Sequence, residues 1–409
     1  MKIAIISVHG CPLRQIGYGS SGGMNVFILE SSKFLSSVGV DIDIFTRCHD
    51  HDGPSVVDLT ERCRVIHLEA GTLDLGKDEI YEWLPEFSEK VVAYNFEKNE
   101  NYDLIVSHYW LSGLVGSYLK KVWNIKHVTT FHTLSLLKSK GLSKLNVPSI
   151  RKNGEKKVIE QSDAILVWSE HEKQSLVEYY GAASEKIDII KPGVDVGLLK
   201  PTEMGDNEFK SGELKILFVG RLEPIKGVET IVRAVSNIDN DKITVSIFGG
   251  DSVLGETNRL TALCRELNVK NRVSFFGPID RQLLPNIYRN HDLLIMPSYY
   301  ESFGLSALEA QSSGIPVIAS HVGGLSEVVV SGTTGFLIQP ADDHVQFSNK
   351  IEILTSDTKL RRAMGTNARQ HAESFSWQLK GIDLLKVYCS KVEKNPFTST
   401  ACEKILATL

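Results

Sequence analysis

Short apolar runs at residues 2–8, 40–46, 104–107, 127–131 and 164–168 alternate with longer stretches of helical spacing, such as 24–37 and 150–161. Short runs bounded by turn residues read as buried strands, and the longer periodic stretches read as amphipathic helices. Their alternation predicts an α/β protein with parallel sheets. The pattern breaks after IDIIKPGVD (187–195) and passes through polar, irregular sequence at 201–213. A second alternation opens with LKILFVG (214–220), continues through TVSIFGG, RVSFFG, DLLIMPS and PVIAS, and closes near GFLIQP. The chain therefore reads as two Rossmann-like, doubly wound domains, 1–195 and 196–375. A last segment, 376–409, is long enough for two helices, has a frayed tail and is expected to pack back on the first domain. Doubly wound sheets bind ligands outside the carboxyl ends of their strands, so the expected site is a cleft where the two domains face each other.

A chain of 409 residues fits two domains rather than one core. A net charge of -5 gives no electrostatic case for nucleic acid. No apolar run reaches the roughly 18 residues of a membrane span. MKIAIISVHGC reads as a first buried strand, not as a signal peptide, which lacks its cleavage site here. The six cysteines (Cys11, Cys48, Cys63, Cys264, Cys389, Cys402) form no C-x-x-C pair and read as reduced thiols of a cytoplasmic protein.

Gly17-Tyr18-Gly19-Ser20-Ser21-Gly22 spells G-x-G-x-x-G, with Asp41 and Asp43 about 20 residues on, the spacing of a dinucleotide-binding fingerprint. The context is wrong for it. Pro12 and its neighbours separate the first strand from the first glycine, and Asp41 and Asp43 alternate with Val40, Ile42 and Ile44 as in an ordinary half-buried strand. Gly22 and Gly23, just before a helix, read equally as a plain strand-to-helix turn or as a phosphate site, where the backbone can approach closely and the helix start offers free N–H groups and partial positive charge. The D-x-D pairs Asp41/Asp43 and Asp239/Asp241 read as structural, and the run Arg47-Cys48-His49-Asp50-His51-Asp52 as a solvated loop whose spacing matches no standard metal site. SHYW (107–110) and TFHT (130–133) place polar residues directly after apolar strands, at the ligand-binding edge of the sheet. Lys77, Arg151 and Lys152 could add positive charge there or serve as solvated surface.

In the second half, VGRLEPIKG (219–227) places Arg221 and Lys226 after a strand, a pair suited to a diphosphate. PSYYESFGLSALEA (297–310) ends a strand and opens a helix near Gly304, so the backbone at Phe303, Gly304 and Leu305 can face an anion. Glu301 lies before this helix and Glu309 within it. The helix is largely apolar, so both carboxylates need partners.

Taken together, ISVHGCPL with GGMNV, SHYWLSG, FHT, IIKPGVD, VGRLEPIKG, FFGP, ESFGLSALEA and VGGLSEVV with GTTGFLI resemble, in order and over nearly the whole chain, the retaining glycosyltransferases of family 4 type with the GT-B fold. The similarity is to the branch of the sucrose-phosphate synthases and the mycothiol-pathway N-acetylglucosaminyltransferase. The resemblance implies a hexosyltransferase using a nucleotide sugar, by family frequency a UDP-sugar, with base contacts near 277–279. It implies Glu309 on the ribose, Glu301 on the donor sugar, Arg221 and Lys226 as the diphosphate clamp, Gly22 and Gly23 beside the phosphates, and Ser302, Phe303, Gly304 and Leu305 around sugar and phosphate. His132 falls at the reaction centre. Asn25, Lys77, Tyr109, Thr133 and Arg151 match the positions that hold a small phosphorylated sugar or polyol acceptor, although the loop at 71–86 departs from both named relatives.

The implied chemistry is metal-independent, with no cofactor beyond the nucleotide-sugar substrate. Arg221, Lys226 and the helix start stabilise the leaving diphosphate, attack comes from the front face, and domain closure excludes water. A lipid-linked or polysaccharide acceptor, an epimerase and a non-catalytic sugar-nucleotide-binding protein are the competing readings. The residues 81–94 lack the basic amphipathic face of a membrane-surface helix, the Glu301/Glu309 pair disfavours the epimerase, and Arg221, Lys226 and His132 are all present. Peripheral membrane contact and homodimerisation stay open.

Overall fold

A computed structural model describes all residues except 15–21, 51–52, 78, 143–146, 202–212, 393–395 and 408–409. By its contacts the chain divides into two compact units. One holds Met1–Arg14, Gly23–Gly193 and Trp377–Leu409; the other holds Val194–Ser376, with Gly22 joining it.

The first unit is built on strands β1 (Lys2–Ile6), β2 (Asp41–Arg47), β3 (Val56–Thr60), β4 (Cys63–Leu68), β5 (Leu104–His108), β6 (Lys126–Thr130), β7 (Ala164–Val167) and β8 (Ile187–Ile189). Their order across the sheet is β3-β4-β2-β1-β5-β6-β7-β8. All neighbours are parallel except β3, which runs antiparallel to β4. The exception falls where the sequence pattern is weakest. VVDLT lies at the sheet margin with Val56 exposed, whereas the central runs KIAII and LIVSH are almost wholly buried. Strands covered on both faces need continuous apolar sequence, and a margin strand does not.

The second unit carries β9 (Leu214–Val219), β10 (Ile243–Phe248), β11 (Val273–Gly277), β12 (Leu293–Met296), β13 (Val317–Ser320) and β14 (Gly335–Ile338). All are parallel, in the order β11-β10-β9-β12-β13-β14. This is the doubly wound dinucleotide-domain order, whose direction reverses between β9 and β12. In the first unit the reversal lies between β1 and β5. Buried Ile216, Phe218, Ile231, Val235, Ile247 and Phe347 are part of the second unit's core.

The C-terminal segment forms helices Trp377–Lys391 and Pro396–Ala407. The first packs on helix Gly23–Ser37: Trp377 lies 5.8 Å from Phe27, and a Cβ at Gly381 would strike the Phe34 ring.

Two sequence expectations need correction. Cys389 and Cys402 are not reduced thiols but a disulfide between the two last helices, their Cα atoms 5.8 Å apart. That spacing is bridgeable, and it arises from the helical hairpin rather than from any sequence motif. Cys11, Cys48, Cys63 and Cys264 are free. The run beginning at Arg47 is also not simply a solvated loop. Arg47 ends β2, is buried, and donates to the carbonyls of Thr72 and Leu73, while Cys48 and His49 are half-buried. The D-x-D on β2 is structural: buried Asp43 is held by Arg64, Lys2 and the Tyr102 hydroxyl, and Asp41 pairs with Arg62. Most of the G-x-G-x-x-G run lies outside the described residues.

Candidate functional site

Each unit presents polar residues at its own point of strand reversal. In the first unit β5 and β6 deliver His108 and His132. Nδ1 of His108 and Nε2 of His132 are 2.9 Å apart, so one nitrogen donates and the other accepts. Both rings are buried, and Phe27 and Trp168 stand edge-on around them at 5.8 and 4.8 Å. Burial drives the His108 imidazole down to about 3. His132 is also held well below its ordinary value, first by burial, then by the charges of His108, His9 and Lys77. The pair is neutral at physiological pH. His132 sits at φ 61° and Tyr109 at φ 76°, conformations that cost a non-glycine residue energy. Such strain gathers at functional sites.

Around Tyr109 the chain assembles positive charge. Nζ of Lys77 lies 3.9 Å from the centre of the Tyr109 ring, and the Arg151 guanidinium carbon 5.0 Å. Arg151 also donates through Nη2 to the Thr133 carbonyl and hydroxyl at 2.9 and 3.1 Å. Its Nε meets Glu155 at 2.8 Å, and that carboxylate is buried and further bonded by Ser135 and Tyr180. Glu155 therefore orients Arg151. Lys77, Tyr109, Thr133 and Arg151, read separately from sequence, come together in one cluster. Asn25 stands apart from it, in the first turn of helix Gly23–Ser37, with its Nδ2 donating to the Cys11 carbonyl at 2.6 Å. Gly23 begins that helix.

In the second unit the loops after β9 and β12 meet. Lys226 ends a short 3₁₀ turn, Pro224–Lys226, and its Nζ lies 2.6 Å from Oε2 of Glu301. The approach depends on Gly227, at φ 66°, where a Cβ would stand 2.0 Å from the Pro297 carbonyl. The backbone N–H of Tyr299 donates to Ile225, tying the two loops at 2.8 Å. Glu301 is fixed from the other side by Gly323: a Cβ there would lie 2.0 Å from the Glu301 carbonyl, which accepts from the Gly324 N–H at 3.0 Å. Arg221 bonds Glu223 at 2.8 Å. Gly22 joins this unit, 3.7 Å from Nε of Arg221 measured from a built Cβ.

Gly304 caps helix Leu305–Ser312, so Gly304 and Leu305 stand at its positive end, while the Phe303 side chain is core, against Phe375. Ser302 is buried, with its hydroxyl 3.3 Å from that of Tyr300. Glu309 accepts from the Tyr288 hydroxyl at 2.8 Å. Both carboxylates thus have the partners their apolar helix required. Tyr288 escaped the sequence reading because a lone tyrosine in LLPNIYRN carries no spacing signal.

Two parallel α/β units, one with polar groups and cations at its strand ends and the other with a Lys–Glu pair at a helix start, define a GT-B glycosyltransferase. The chain belongs to that family: residues 21–198 match glycosyltransferase family 4 and residues 200–371 match glycosyl transferases group 1. Among its relatives, the D-inositol 3-phosphate glycosyltransferase of Corynebacterium glutamicum is 36% identical over 95% of this chain and 96% of its own length. That of Nocardia farcinica is 36% identical over 95% of this chain and 89% of its own. The structure of sucrose-phosphate synthase from Thermosynechococcus elongatus superposes with a TM-score of 0.87 at 32% identity, covering 95% of this chain and 98% of that one. Among the described residues no helix is long and apolar enough to cross a membrane.

Proposed function

We propose that this glycosyltransferase moves a hexosyl group from a UDP-sugar to a hydroxyl of a small phosphorylated sugar or polyol, with retention of anomeric configuration and without a metal at the reacting atoms. The observation that carries the acceptor class is the pairing of Lys77 and Arg151 around the Tyr109 ring. Two cations over one aromatic ring, with Thr133 bonded to one of them, suit a dianionic phosphate with hydroxyls next to it: the guanidinium grips two oxygens, and the ammonium acts as a point charge. Among the described residues Nη1 of Arg151 has no protein partner, so that donor is available to a phosphate. The names of the relatives point the same way, to inositol 3-phosphate and to sucrose phosphate synthesis.

On the second unit, Arg221, Lys226 and the amides at Gly304 and Leu305 hold the donor diphosphate, Glu301 the sugar and Glu309 the ribose. Cleavage of the C1–O bond builds positive charge on the sugar and negative charge on the leaving phosphate, where these groups stabilise it as it develops. A new bond forms between the acceptor oxygen and C1 on the same face. The hydroxyl proton passes to the leaving phosphate oxygen. No carboxylate nucleophile is assigned, in contrast to the paired carboxylates of retaining hydrolases. His132, neutral and fixed by His108, offers a hydrogen bond at the reaction centre without adding charge.

The test is incubation with UDP-, GDP- and ADP-sugars, with and without phosphorylated sugars and polyols. Product is read by mass spectrometry, its anomeric configuration by NMR, with and without added Mg(II) or Mn(II). Acceptor-dependent UDP release giving a product of the donor's configuration, independent of added Mg(II) or Mn(II), supports the reading. Transfer only to lipid-linked or polymeric acceptors, or inversion, refutes it.

A further inference from the structure

Beside these groups lies a cluster that the reaction does not use. Cys11 sits in the loop after β1, His49 just after β2, and His67 in β4, and the three offer Sγ and ring nitrogens that all lie within 4.8 Å of one another. We propose that Cys11, His49 and His67 bind one zinc-class divalent cation, with water completing a four-coordinate site.

The geometry carries the assignment. Sγ of Cys11 and Nε2 of His67 are 3.4 Å apart. Sulfur and nitrogen ligands of a tetrahedral zinc ion stand roughly 3.5 Å apart, given bonds of about 2.3 and 2.0–2.1 Å. Nδ1 of His67 lies 3.0 Å from the carbonyl of Pro54, which only accepts. Nδ1 therefore carries the ring hydrogen, and the Nε2 lone pair is turned toward Cys11, the outer-shell arrangement that orients metal-bound histidine. Nδ1 of His49 is enclosed without a hydrogen-bond partner among the described residues, and its ring stands edge-on to His67 at 5.3 Å. Three neighbouring strand ends supply one ligand each, which explains why no sequence spacing announces the site.

On binding, the Cys11 proton leaves to solvent and the cation exchanges bound waters for the thiolate and two ring nitrogens. Cys48, nearby, is engaged elsewhere, its Sγ donating to the Asp50 carbonyl at 2.9 Å. The cation would be structural. It fixes the Cys11 loop, whose carbonyl receives the Asn25 amide.

The experiment is a titration of the metal-free full-length protein with Co(II), followed by Zn(II) competition and elemental analysis. The site predicts one equivalent per chain, a thiolate-to-cobalt charge-transfer band with visible tetrahedral bands, and displacement by Zn(II). Cys11→Ser removes the charge-transfer band, and His67→Gln and His49→Gln each weaken binding by at least about 10-fold, the lower bound for a disturbed metal shell. Cys48→Ser leaves all signals unchanged. Circular dichroism shows each variant folded, and the two histidine variants keep the test open should Cys11→Ser not fold. Absence of the charge-transfer band, its persistence in Cys11→Ser, or its loss in Cys48→Ser alone overturns the proposal.

Discussion

Lys226 and Glu301 hold each other across two loops, Nζ to Oε2 at 2.6 Å, with both side chains largely shielded from solvent. The pair joins the loop after β9 to the loop after β12 at the reversal point of the second sheet, so the proposed diphosphate cation and the proposed sugar-binding carboxylate form one unit.

That coupling makes their substitutions non-additive. Lys226→Ala removes the cation proposed to stabilise the leaving group and leaves Glu301 without its counter-ion, and is expected to lower kcat/KM by about 10²–10³-fold. Glu301→Ala lowers it by a similar factor. The double variant is expected to fall well short of the product of the two single losses, as for groups that act together. A steady-state double-mutant cycle with saturating acceptor reads this directly.

On the acceptor side Lys77 and Arg151 separate by their environments. Lys77 is half-buried, and Lys77→Ala is expected to raise the acceptor KM by roughly 10–100-fold, the worth of a charged hydrogen bond. Its melting temperature should not change. Arg151→Ala does both kinds of damage, because it strands the fully buried Glu155 carboxylate. Breaking such a pair costs about 3–5 kcal/mol. Arg151→Ala with Glu155→Gln should recover stability but not acceptor binding. Melting curves and acceptor titrations distinguish the two effects.

Much of the fold is legible in the sequence. Central strands such as KIAII and LIVSH announce themselves because burial on both faces demands continuous apolar sequence, and the polar residues that follow them fall at the ligand edge by topology alone. Residues whose role depends on a distant partner were not legible. Tyr288 reaches Glu309 and Cys389 pairs with Cys402, each by tertiary approach without a motif; Glu155 lies one helical turn from Arg151, a spacing the sequence carries, but that it is buried and orients the guanidinium shows only in the fold. β3 was missed because a solvent-facing margin strand need not be apolar. Lys77 and Arg151 were read as candidates, but only their shared contact with Tyr109 made them a site.

The buried histidines predict acid-labile stability. His108 and His127 are each driven from the ordinary 6.5 to about 3 by burial, and His132 is lowered with them. Groups whose folded pKa is depressed lend stability that is whole above 6.5 and lost as pH falls toward 3. Glu172 acts oppositely: burial raises it from 4.5 to about 7, so its contribution is whole below 4.5 and declines as pH rises through 7. Three imidazoles outweigh one carboxyl, and the melting temperature should fall between pH 6.5 and 4.5. His127→Gln should flatten that fall without changing transfer, since His127 bonds Ser107 within the sheet and touches no proposed substrate position. Melting temperatures across that range decide it.

Tyr288 is a positioning residue for Glu309. Tyr288→Phe keeps the ring in the core and removes one charge-assisted hydrogen bond, worth about 1.5–3 kcal/mol. A misplaced Glu309 is expected to raise the KM for the nucleotide sugar about 10-fold while kcat changes little, and to leave the acceptor KM unchanged. Equal loss in kcat with no change in donor KM would mean that Glu309 does not contact the donor.

The central claim is that this enzyme reads a phosphate on its acceptor. The direct measurement is kcat/KM for one polyol supplied with and without its phosphate, at a fixed saturating UDP-sugar, in the wild type and in Lys77→Ala. The account predicts a preference for the phosphorylated acceptor of roughly 10²-fold or more, from two charged contacts of about 1.5–3 kcal/mol each, and a preference cut by about 10-fold in Lys77→Ala. Equal rates with both acceptors, or a preference that Lys77→Ala leaves intact, would contradict it.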